Sequence, residues 1–426
     1  MKQVIGLDGR LNQLTGKYAG LKVVEARKII VDDLQSRGLM VKIDNDYEHA
    51  LSVCYRCKTP IEPLPIEQWF IKMKPLAERA LRAIKNKDVI FPVKRFEKIS
   101  LHWLKNIEDW NISRQIVWGI RIPAWQCAAC RQWIVTDGKK PAQCLFCGKK
   151  DLHQDTDTFD TWFSSCQWPF AALMAQGKEI FKAFYPTSVM ETGYDILFFW
   201  VLRMIMLGLY VTNKVPFKTV VIHGLVRDAQ GVKMSKSKGN VINPSEMISK
   251  YGADALRMSM AWGGLVENDI NLDEKKIRGQ RNFANKVWNI ARLLSLNTKP
   301  GAVLAKPIRV DSVHDRKILK QLRVATAKVT QAIDCFKLNI ATEVLYEFIW
   351  HQFADVYLER IKQKTDNSQA VIPVKSIKVA YYVFGEALKL LHQFMPFVTE
   401  AIWGNLFLPR PGLLMAQKWP NIKEKY

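Results

Sequence analysis

No uninterrupted apolar run in this sequence reaches the length expected of a membrane span. The most apolar run, Ile196 to Val211, is 16 residues long and carries Arg203 in its middle, whereas a bilayer core takes about 20 apolar residues as a helix. A buried helix is expected there. The N-terminus, Met1-Lys-Gln-Val-Ile-Gly-Leu-Asp-Gly, has neither the continuous apolar core nor the small-residue cleavage site of a secretory signal, so the expected compartment is the cytoplasm. Eight cysteines in a long cytoplasmic chain argue against a disulfide framework and for metal binding or plain burial. Acidic residues are also short. Forty Asp and Glu stand against 63 Lys and Arg, a net charge of +23, which suits attraction to a polyanion and equally suits a solvated basic surface. Histidines number seven, and none has another three positions on. Internal repeats and low-complexity segments are missing altogether.

What is present exceeds a single core. At 426 residues and 49.1 kDa, two or three domains are expected. Residues 1 to about 65 combine a turn-rich start, an amphipathic helix from Val23 to Arg37, and an alternating stretch through Val41-Lys-Ile. From Trp69 to Trp262 helical patterns alternate with short β-branched runs, as in an α/β domain, and Val220-Val-Ile-His223 has the composition of a buried parallel strand. Asn243-Pro-Ser-Glu246 offers an N-cap, a proline at the first helical position and a glutamate three residues after the cap, with Gly252 placed to end the helix. A Gly- and Pro-containing linker spans about Asn297 to Pro307. Beyond it Ile318, Leu322, Ala325, Val329, Ile333 and Phe336 recur at steps of three and four, the face of a long helix. Two more helical patterns, at about 341–363 and 377–407, complete an expected antiparallel bundle.

Two motifs carry chemistry. Cys127-Ala-Ala-Cys130 and Cys144-Leu-Phe-Cys147 are knuckles separated by a turn-bearing segment, and together they offer four thiolates in the tetrahedral set that zinc prefers. Such a closed site is structural, with no open position for substrate. Cys54-Tyr-Arg-Cys57 is a lone knuckle, either half of a site or a pair of buried thiols. The second motif is Lys233-Met-Ser-Lys-Ser-Lys-Gly-Asn-Val-Ile242, which places lysines on mobile stems between Gly231 and Gly239. In adenylate formation a carboxylate attacks the α-phosphorus of ATP, and charge grows on the departing pyrophosphate. Positioned lysines stabilise that state more than the ground state, and Mg²⁺ would share the work.

The lysine loop is arranged like the KMSKS signature of class I aminoacyl-tRNA synthetases, and its surroundings, Val221-Ile-His-Gly-Leu-Val-Arg-Asp through Asn243-Pro244, resemble the corresponding stretch of the valyl-tRNA synthetase family. So do Thr192-Gly-Tyr-Asp-Ile-Leu-Phe-Phe-Trp200, Asp160-Thr-Trp-Phe-Ser-Ser165, Arg281-Asn-Phe-Ala-Asn-Lys-Val-Trp288 and Phe394-Met-Pro-Phe-Val-Thr-Glu-Ala-Ile-Trp403. Isoleucyl-tRNA synthetases are the nearest rival, but Gly193-Tyr-Asp-Ile196 and Ser237-Lys-Gly-Asn240 favour valine.

The resemblance implies an α/β, Rossmann-like class I catalytic part with a zinc-ribbon insertion, followed by an all-α anticodon-binding helix bundle. In that scheme residues 1–65 are a remnant of the editing-domain insertion and 66–265 the C-terminal half of the catalytic domain, with the zinc knuckle at 127–147. Residues 266–310 are a connecting helical segment and linker, and 311–426 the anticodon-binding domain. Lys236 and Lys233 would be catalytic. His223, Gly224, Lys233, Ser235, Lys236 and Ser237 would bind ATP. Asp195 would pair with the substrate ammonium, while Trp162, Ile196 and Trp200 would wall the apolar side-chain pocket. Zinc would be held by Cys127, Cys130, Cys144 and Cys147, with Cys54 and Cys57 a half-site. The partners implied are valine and tRNA(Val), with neither membrane nor DNA. The family's His-x-Gly-His element has no counterpart here, so the chain reads as a C-terminal fragment or partial gene product of such a ligase, expected to be inactive alone, to which a separate N-terminal half could supply the element. Glu191 stands where the family is usually apolar, and Ile120 where it commonly has histidine. The alternative is a non-catalytic tRNA-binding module, against which the retained lysine loop and pocket segment argue.

Overall fold

The computed structural model describes residues 2–44, 46–54, 57–235, 239–297, 310, 312–364, 370–407 and 412–422. Most of the expected 297–307 linker, and Lys236 and Ser237 of the lysine loop, lie outside the described residues. The chain forms two compact units, Met1–Ile71 with Trp110–Asp160, and Lys72–Asp109 with Thr161–Tyr426.

In the first unit α1 (Val23–Ser36) forms where the periodicity places it, but Ala26 is its one buried residue. The alternating segment after it forms no strand, and Val41 and Ile43 are exposed. Alternation makes a strand only when a partner takes up its hydrogen bonds, and none is present among the described residues. Short antiparallel pairs follow: β1 (Phe70–Ile71) with β2 (Trp110–Asn111), and β3 (Ser113–Arg114) with β7 (Thr158–Phe159). Between them lies a three-stranded ribbon of β4 (Ala124–Cys127), β5 (Trp133–Val135) and β6 (Leu152–Gln154), with β4 at its centre. Its core is Trp125, Ile134 and Leu152 beside Cys127 and Cys144. Asp160 closes the unit, accepting from the Trp110 indole at 3.1 Å and the Arg114 guanidinium at 2.8 Å.

The second unit begins with α2 (Lys74–Lys85) and α3 (Lys94–Lys105). Helix α2 carries Pro75 in its first turn, where the missing N–H would be unbonded anyway, and it buries Leu76, Ala77, Ala80, Ala83 and Ile84 along one face. After α4 (Thr161–Ser165), α5 (Trp168–Ala175) and α6 (Lys178–Phe184) come the parallel strands β8 (Thr187–Gly193) and β9 (Phe217–His223). Ile90 continues the sheet in parallel beyond β9. The segment joining β8 to β9 is helical from Tyr194 to Thr212, passing from a π-helical stretch, Leu197–Leu202, into α7 (Arg203–Thr212). It therefore extends past the 16-residue apolar run. At 19 residues it is long and apolar enough to cross a membrane, yet 56% of it is buried, with Val201, Leu202, Met204 and Ile205 fully enclosed. It is a core helix, packed on α2 and α5. Arg203 stays in that interior with its guanidinium 5.3 Å from the Phe199 ring.

The strand β10 (Val226–Arg227) leads into the lysine loop, and α8 (Pro244–Tyr251) and α9 (Ala253–Ala261) lead out of it. The Asn243 carboxamide caps α8 by accepting from the Ser245 N–H at 3.0 Å, as the sequence implies. Then β11 (Ile270–Asn271) pairs parallel with β10. The bundle consists of α10 (Glu274–Leu296), α11 (Val313–Asp334), α12 (Leu338–Tyr346) continuing through a π-helical stretch Glu347–Leu358 into α13 (Glu359–Ile361), a short pair β12 (Gln363–Lys364) and β13 (Ala370–Val371), α14 (Val374–Leu391) and α15 (Pro396–Leu406). The 377–407 pattern is thus two helices. Pro396 has no N–H to continue a helix, and it opens the second. Phe283, Phe348, Phe353, Phe384 and Trp403 fill the bundle core, with the Phe353 and Phe384 rings stacked at 6.0 Å. One buried polar knot crosses it, in which Asp315 accepts from the Tyr357 hydroxyl at 2.8 Å and the Ser376 hydroxyl at 3.1 Å. Burial, reinforced by the Asp315 charge, pushes the Tyr357 phenol far above its ordinary range.

Candidate functional site

The residues that carry chemistry in the second unit gather at the carboxyl ends of β8 and β9. This is the edge at which parallel α/β sheets bind ligands, because the loops leaving it can converge. His223 ends β9, its Nδ1 is 2.6 Å from the Gly224 carbonyl, and its Nε2 lies 3.0 Å from the Glu191 carboxylate on β8. The unexpected acid at 191 thus has a partner, His223 on the neighbouring strand. Gly224 is fixed by close approach: its N–H donates to the Val266 carbonyl at 2.8 Å, and a Cβ there would meet the Asn268 carbonyl oxygen at 2.0 Å. No other residue fits that crossing without moving the backbone.

Around it the carboxylate of Asp269 is a hub. It accepts from the Leu225 N–H at 2.8 Å, pairs with Arg227, and lies 3.5 Å from the Tyr194 hydroxyl. Those donors, the Leu225 amide first and then the Arg227 guanidinium, outweigh burial and hold its pKa below the ordinary carboxylate value. The helical segment that starts at Tyr194, the exit of β9 and β10 are thereby tied to one anion.

The base of the lysine loop is stapled from both sides. Arg227 and Lys233 form an antiparallel bridge. Asp228 Oδ1 accepts from the N–H groups of Gln230 at 3.1 Å and Val232 at 2.7 Å, while its Oδ2 accepts from the Asn240 carboxamide at 2.7 Å. The same carboxamide accepts from the Ser235 N–H at 2.9 Å. Gly231 and Gly239 both take positive φ, 78° and 67°, and so allow the loop to turn at each end. Met234 anchors it by packing on a small core of Met247, Ala255, Leu272 and Ile277. Lys233 is exposed and Ser235 half-buried. Asp228, Asn240, Asp269 and Arg227 were not singled out by sequence reasoning. Their only local signal is the placement of Asp228 and Asn240 just before and just after the lysines.

The proposed pocket residues sit on two touching elements. Trp162, on α4, has its ring 6.2 Å from Phe199, and the Trp200 indole donates to the Ser165 carbonyl at 3.2 Å. Both tryptophans and Ile196 are half-buried. Asp195 lies in the exposed first turn of the helix, and among the described residues no hydrogen bond or ion pair holds its carboxylate. A carboxylate in that condition is open to a cation.

In the first unit the four cysteine sulfurs of 127, 130, 144 and 147 lie within 4.8 Å of one another. The closest pairs are Cys127 to Cys147 at 3.5 Å and Cys130 to Cys144 at 3.6 Å. With metal–sulfur bonds of about 2.3 Å a tetrahedron has edges of about 3.8 Å, so the set could hold a metal ion with little adjustment. The knuckle turns are in place: the Arg131 N–H returns to the Cys127 carbonyl at 2.8 Å, the Gly148 N–H to the Cys144 carbonyl at 3.0 Å, and the Phe146 N–H points at the Cys144 sulfur at 3.4 Å. Burial opposes ionisation of Cys144, but the Phe146 and Cys147 amides and neighbouring thiols bring it down to about 7. The Gln132 amide favours the Cys130 thiolate, yet burial and the other three thiols push it up to about 12. Four close thiols cannot all ionise without a cation between them. Cys54 and Cys57 acquire no third ligand among the described residues. The Cys57 thiol, exposed and bonded to the Thr59 hydroxyl at 3.2 Å, is lowered to about 7, first by Thr59 and then by Cys54.

Comparison with known proteins is consistent with this arrangement. The family model "tRNA synthetases class I (I, L, M and V)" matches residues 22–273, and "Anticodon-binding domain of tRNA ligase" matches residues 315–426. Among curated relatives, the valine–tRNA ligase of Symbiobacterium thermophilum is 44% identical over 413 residues, 96% of this chain and 45% of the relative. That of Clostridium tetani is 42% identical over 99% of this chain and 48% of its own length. That of Carboxydothermus hydrogenoformans is 44% identical over 100% of this chain and 48% of its own. The chain spans about half the length of these relatives. Among solved structures, LeuRS of Agrobacterium radiobacter K84, in a ternary complex with tRNA and LeuAMS, superposes with a TM-score of 0.62 at 22% identity, covering 74% of this chain and 42% of that one. Methionyl-tRNA synthetase of Mycobacterium tuberculosis bound to methionyl-adenylate superposes with a TM-score of 0.61 at 17% identity, covering 83% of this chain and 65% of that one. At such identities the two structures speak to fold alone.

Proposed function

This chain belongs to the class I tRNA synthetases of the isoleucine, leucine, methionine and valine group, and from that premise we propose that it is part of a valine–tRNA ligase, activating valine with ATP and passing it to tRNA(Val). The observation that carries the choice of amino acid is the identity of 42–44% with valine–tRNA ligases along almost the whole chain. The chemistry of the site agrees with it. A half-buried apolar wall of Trp162, Ile196 and Trp200 beside the open Asp195 carboxylate suits a small aliphatic amino acid with a free ammonium. Lys233 and Lys236 would meet the phosphates of ATP, with Ser235 and Ser237 beside them, and stabilise the charge that develops as pyrophosphate leaves. Mg²⁺ would neutralise part of that charge. His223 and Gly224 would border the nucleoside, and the Glu191 contact would set the imidazole's orientation. Zinc would be held by Cys127, Cys130, Cys144 and Cys147 in a structural role, with Cys54 and Cys57 a half-site. The helix bundle would bind the tRNA, and a translation enzyme of this kind would work in the cytoplasm.

The remaining half of the relatives' length would supply the opposite wall of the site, including the His-x-Gly-His element, either on the same polypeptide or as a separate N-terminal half. Strand β8 is suited to receive it. Its Thr187 N–H points to the Pro216 carbonyl just before β9, so alternation turns the backbone groups of Ser188, Met190 and Thr192 to the outer edge, free to pair with a further strand.

Valine-dependent ATP–pyrophosphate exchange is the direct test. The chain alone should be silent, addition of the complementary half should restore exchange, and Lys236→Ala should abolish the restored activity while tRNA binding stays close to that of the parent. Exchange by the isolated chain, or equal loss of exchange and tRNA binding in Lys236→Ala, would overturn the roles assigned here.

A further inference from the structure

Helix α15 opens in an unusual way. Pro396 has no N–H to offer, Met395 provides no side-chain cap, and the next two amides, those of Phe397 and Val398, donate to the two carboxylate oxygens of Asp254 at 3.2 and 2.6 Å. Asp254 lies 143 and 144 positions earlier in the sequence, in the first turn of α9, and is 6% exposed. A capping carboxylate normally comes from the helix's own N-cap residue. Here it comes from another helix and spans the junction between the α8–α9 pair and the bundle. One turn further along α9 the Arg257 guanidinium donates to the Gln393 carbonyl at 3.2 Å, in the corner that leads into α15. At the other end of α9 the Thr342 hydroxyl reaches the Ala261 carbonyl at 3.4 Å. The residue next to Asp254, Ala255, belongs to the small core on which Met234 of the lysine loop rests.

We infer that Asp254 is a positioning residue: its carboxylate caps α15 from across the fold, and so fixes the helix bundle to the floor that carries the lysine loop. Bundle and loop then share the small core under Met234, and a displacement of the bundle reaches the loop through Ala255 of α9 as well as through Ile277 of α10. The latch rests on this geometry alone. The proposed ligase activity enters only as its consequence, because the tRNA-binding part and the phosphate-binding loop would be held in register by the Asp254 cap together with the packing of α10 on α9.

The test needs no substrate. Asp254→Ala should speed hydrogen exchange at the Phe397 and Val398 amides at least tenfold, while β9 and the middle of α14 exchange as before. A general packing defect would raise all of them together. Spin labels attached through non-natural residues at Ser249 and Lys328, both exposed, should give one narrow distance distribution in the parent chain and a broadened one in the variant. If Asp254→Ala fails to fold, Asp254→Asn serves instead: its single carbonyl oxygen satisfies one amide, its NH₂ group opposes the other, and one of the two should exchange fast. Unchanged exchange at both amides, or an unbroadened distribution in a folded variant, would overturn the latch.

Discussion

The stapled base of the lysine loop makes a quantitative prediction for Asn240→Ala. The Asn240 side chain accepts from the Ser235 N–H at 2.9 Å and donates to the Asp228 carboxylate at 2.7 Å and to the Lys233 carbonyl at 3.4 Å. A neutral hydrogen bond is worth about 0.5–1.5 kcal/mol net and one to a charged group about 1.5–3 kcal/mol, but this side chain is half-buried and water can replace part of what is lost. A loss of about 1–2 kcal/mol in the local opening free energy remains, equivalent to about 5- to 30-fold faster amide exchange. The assay is residue-resolved hydrogen exchange of the chain as it is. Ser235 should speed up by that factor, and the Val232 amide, held by the other oxygen of Asp228 at 2.7 Å, should change less. Asn240→Asp should be worse than alanine, because it sets a second carboxylate against Asp228. If Ser235 exchanges at the parental rate in Asn240→Ala, the two side chains do not order the loop and the account of its base fails.

Two further outcomes follow from other parts of the chain. Purified protein should contain about one zinc per chain by elemental analysis, and Cys127→Ser should lower that content and speed amide exchange in β4, β5 and β6; full zinc in the variant would mean the metal lies elsewhere. The second concerns pH. Burial depresses the pKa of His392 below its ordinary 6.5, assisted by Arg257 and opposed by Glu400 and Asp254. The folded chain therefore holds this proton less tightly than the unfolded one. The stability His392 contributes is complete above pH 6.5 and is lost as pH falls through its lower folded value. Subtracting the pH profile of His392→Gln from that of the parent, by chemical denaturation between pH 7.5 and 4.5 in steps of about half a unit, isolates this contribution; a flat difference would refute it.

How much could be seen in the sequence depends on the distance over which each feature is made. The Asn243 cap, the four-cysteine set and the face of α11 are local. Their chemistry lies within a few residues or within two short knuckles. The cap and the cysteine set form as expected, and α11 buries Ile318, Leu322, Ala325 and Val329 but ends at Asp334, which leaves Phe336 outside it with a φ of 58°. The fold class was equally legible, because the β-branched run Val220 to Ile222 forms a buried parallel strand and the helices around it in sequence have periodic apolar faces. The contacts that order the site are long-range and aperiodic. Glu191 meets His223 from the neighbouring strand, Asp269 gathers Leu225, Arg227 and Tyr194, and Asp254 reaches Phe397 and Val398. No pattern marks such a carboxylate in advance, since an aspartate that caps a distant helix reads the same as one that faces water. The stretch through Val41 shows the converse failure, a local pattern with no partner to complete it.

The same distinction explains why the two strands of the parallel sheet differ. Strand β9 lies between β8 and Ile90 and is buried through Val220, Val221 and Ile222, whereas β8 leaves Ser188, Val189 and Glu191 exposed. Parallel strands ordinarily lie within a sheet covered on both faces, so the exposed strand is where the sheet would be extended. The chemical groups follow the same asymmetry. Asp195 follows β8, His223 ends β9 and the lysine loop follows β10, and among the described residues no hydrogen bond or ion pair holds the Asp195 carboxylate. A site that must bring a carboxylate of one substrate to the α-phosphorus of another needs donors on both sides of the reacting atoms. On the proposed reading, the fold holds one of those sides in finished form. Asp269, the Asp228–Asn240 staple and the Asp254 cap fix it through bonds made entirely within this unit.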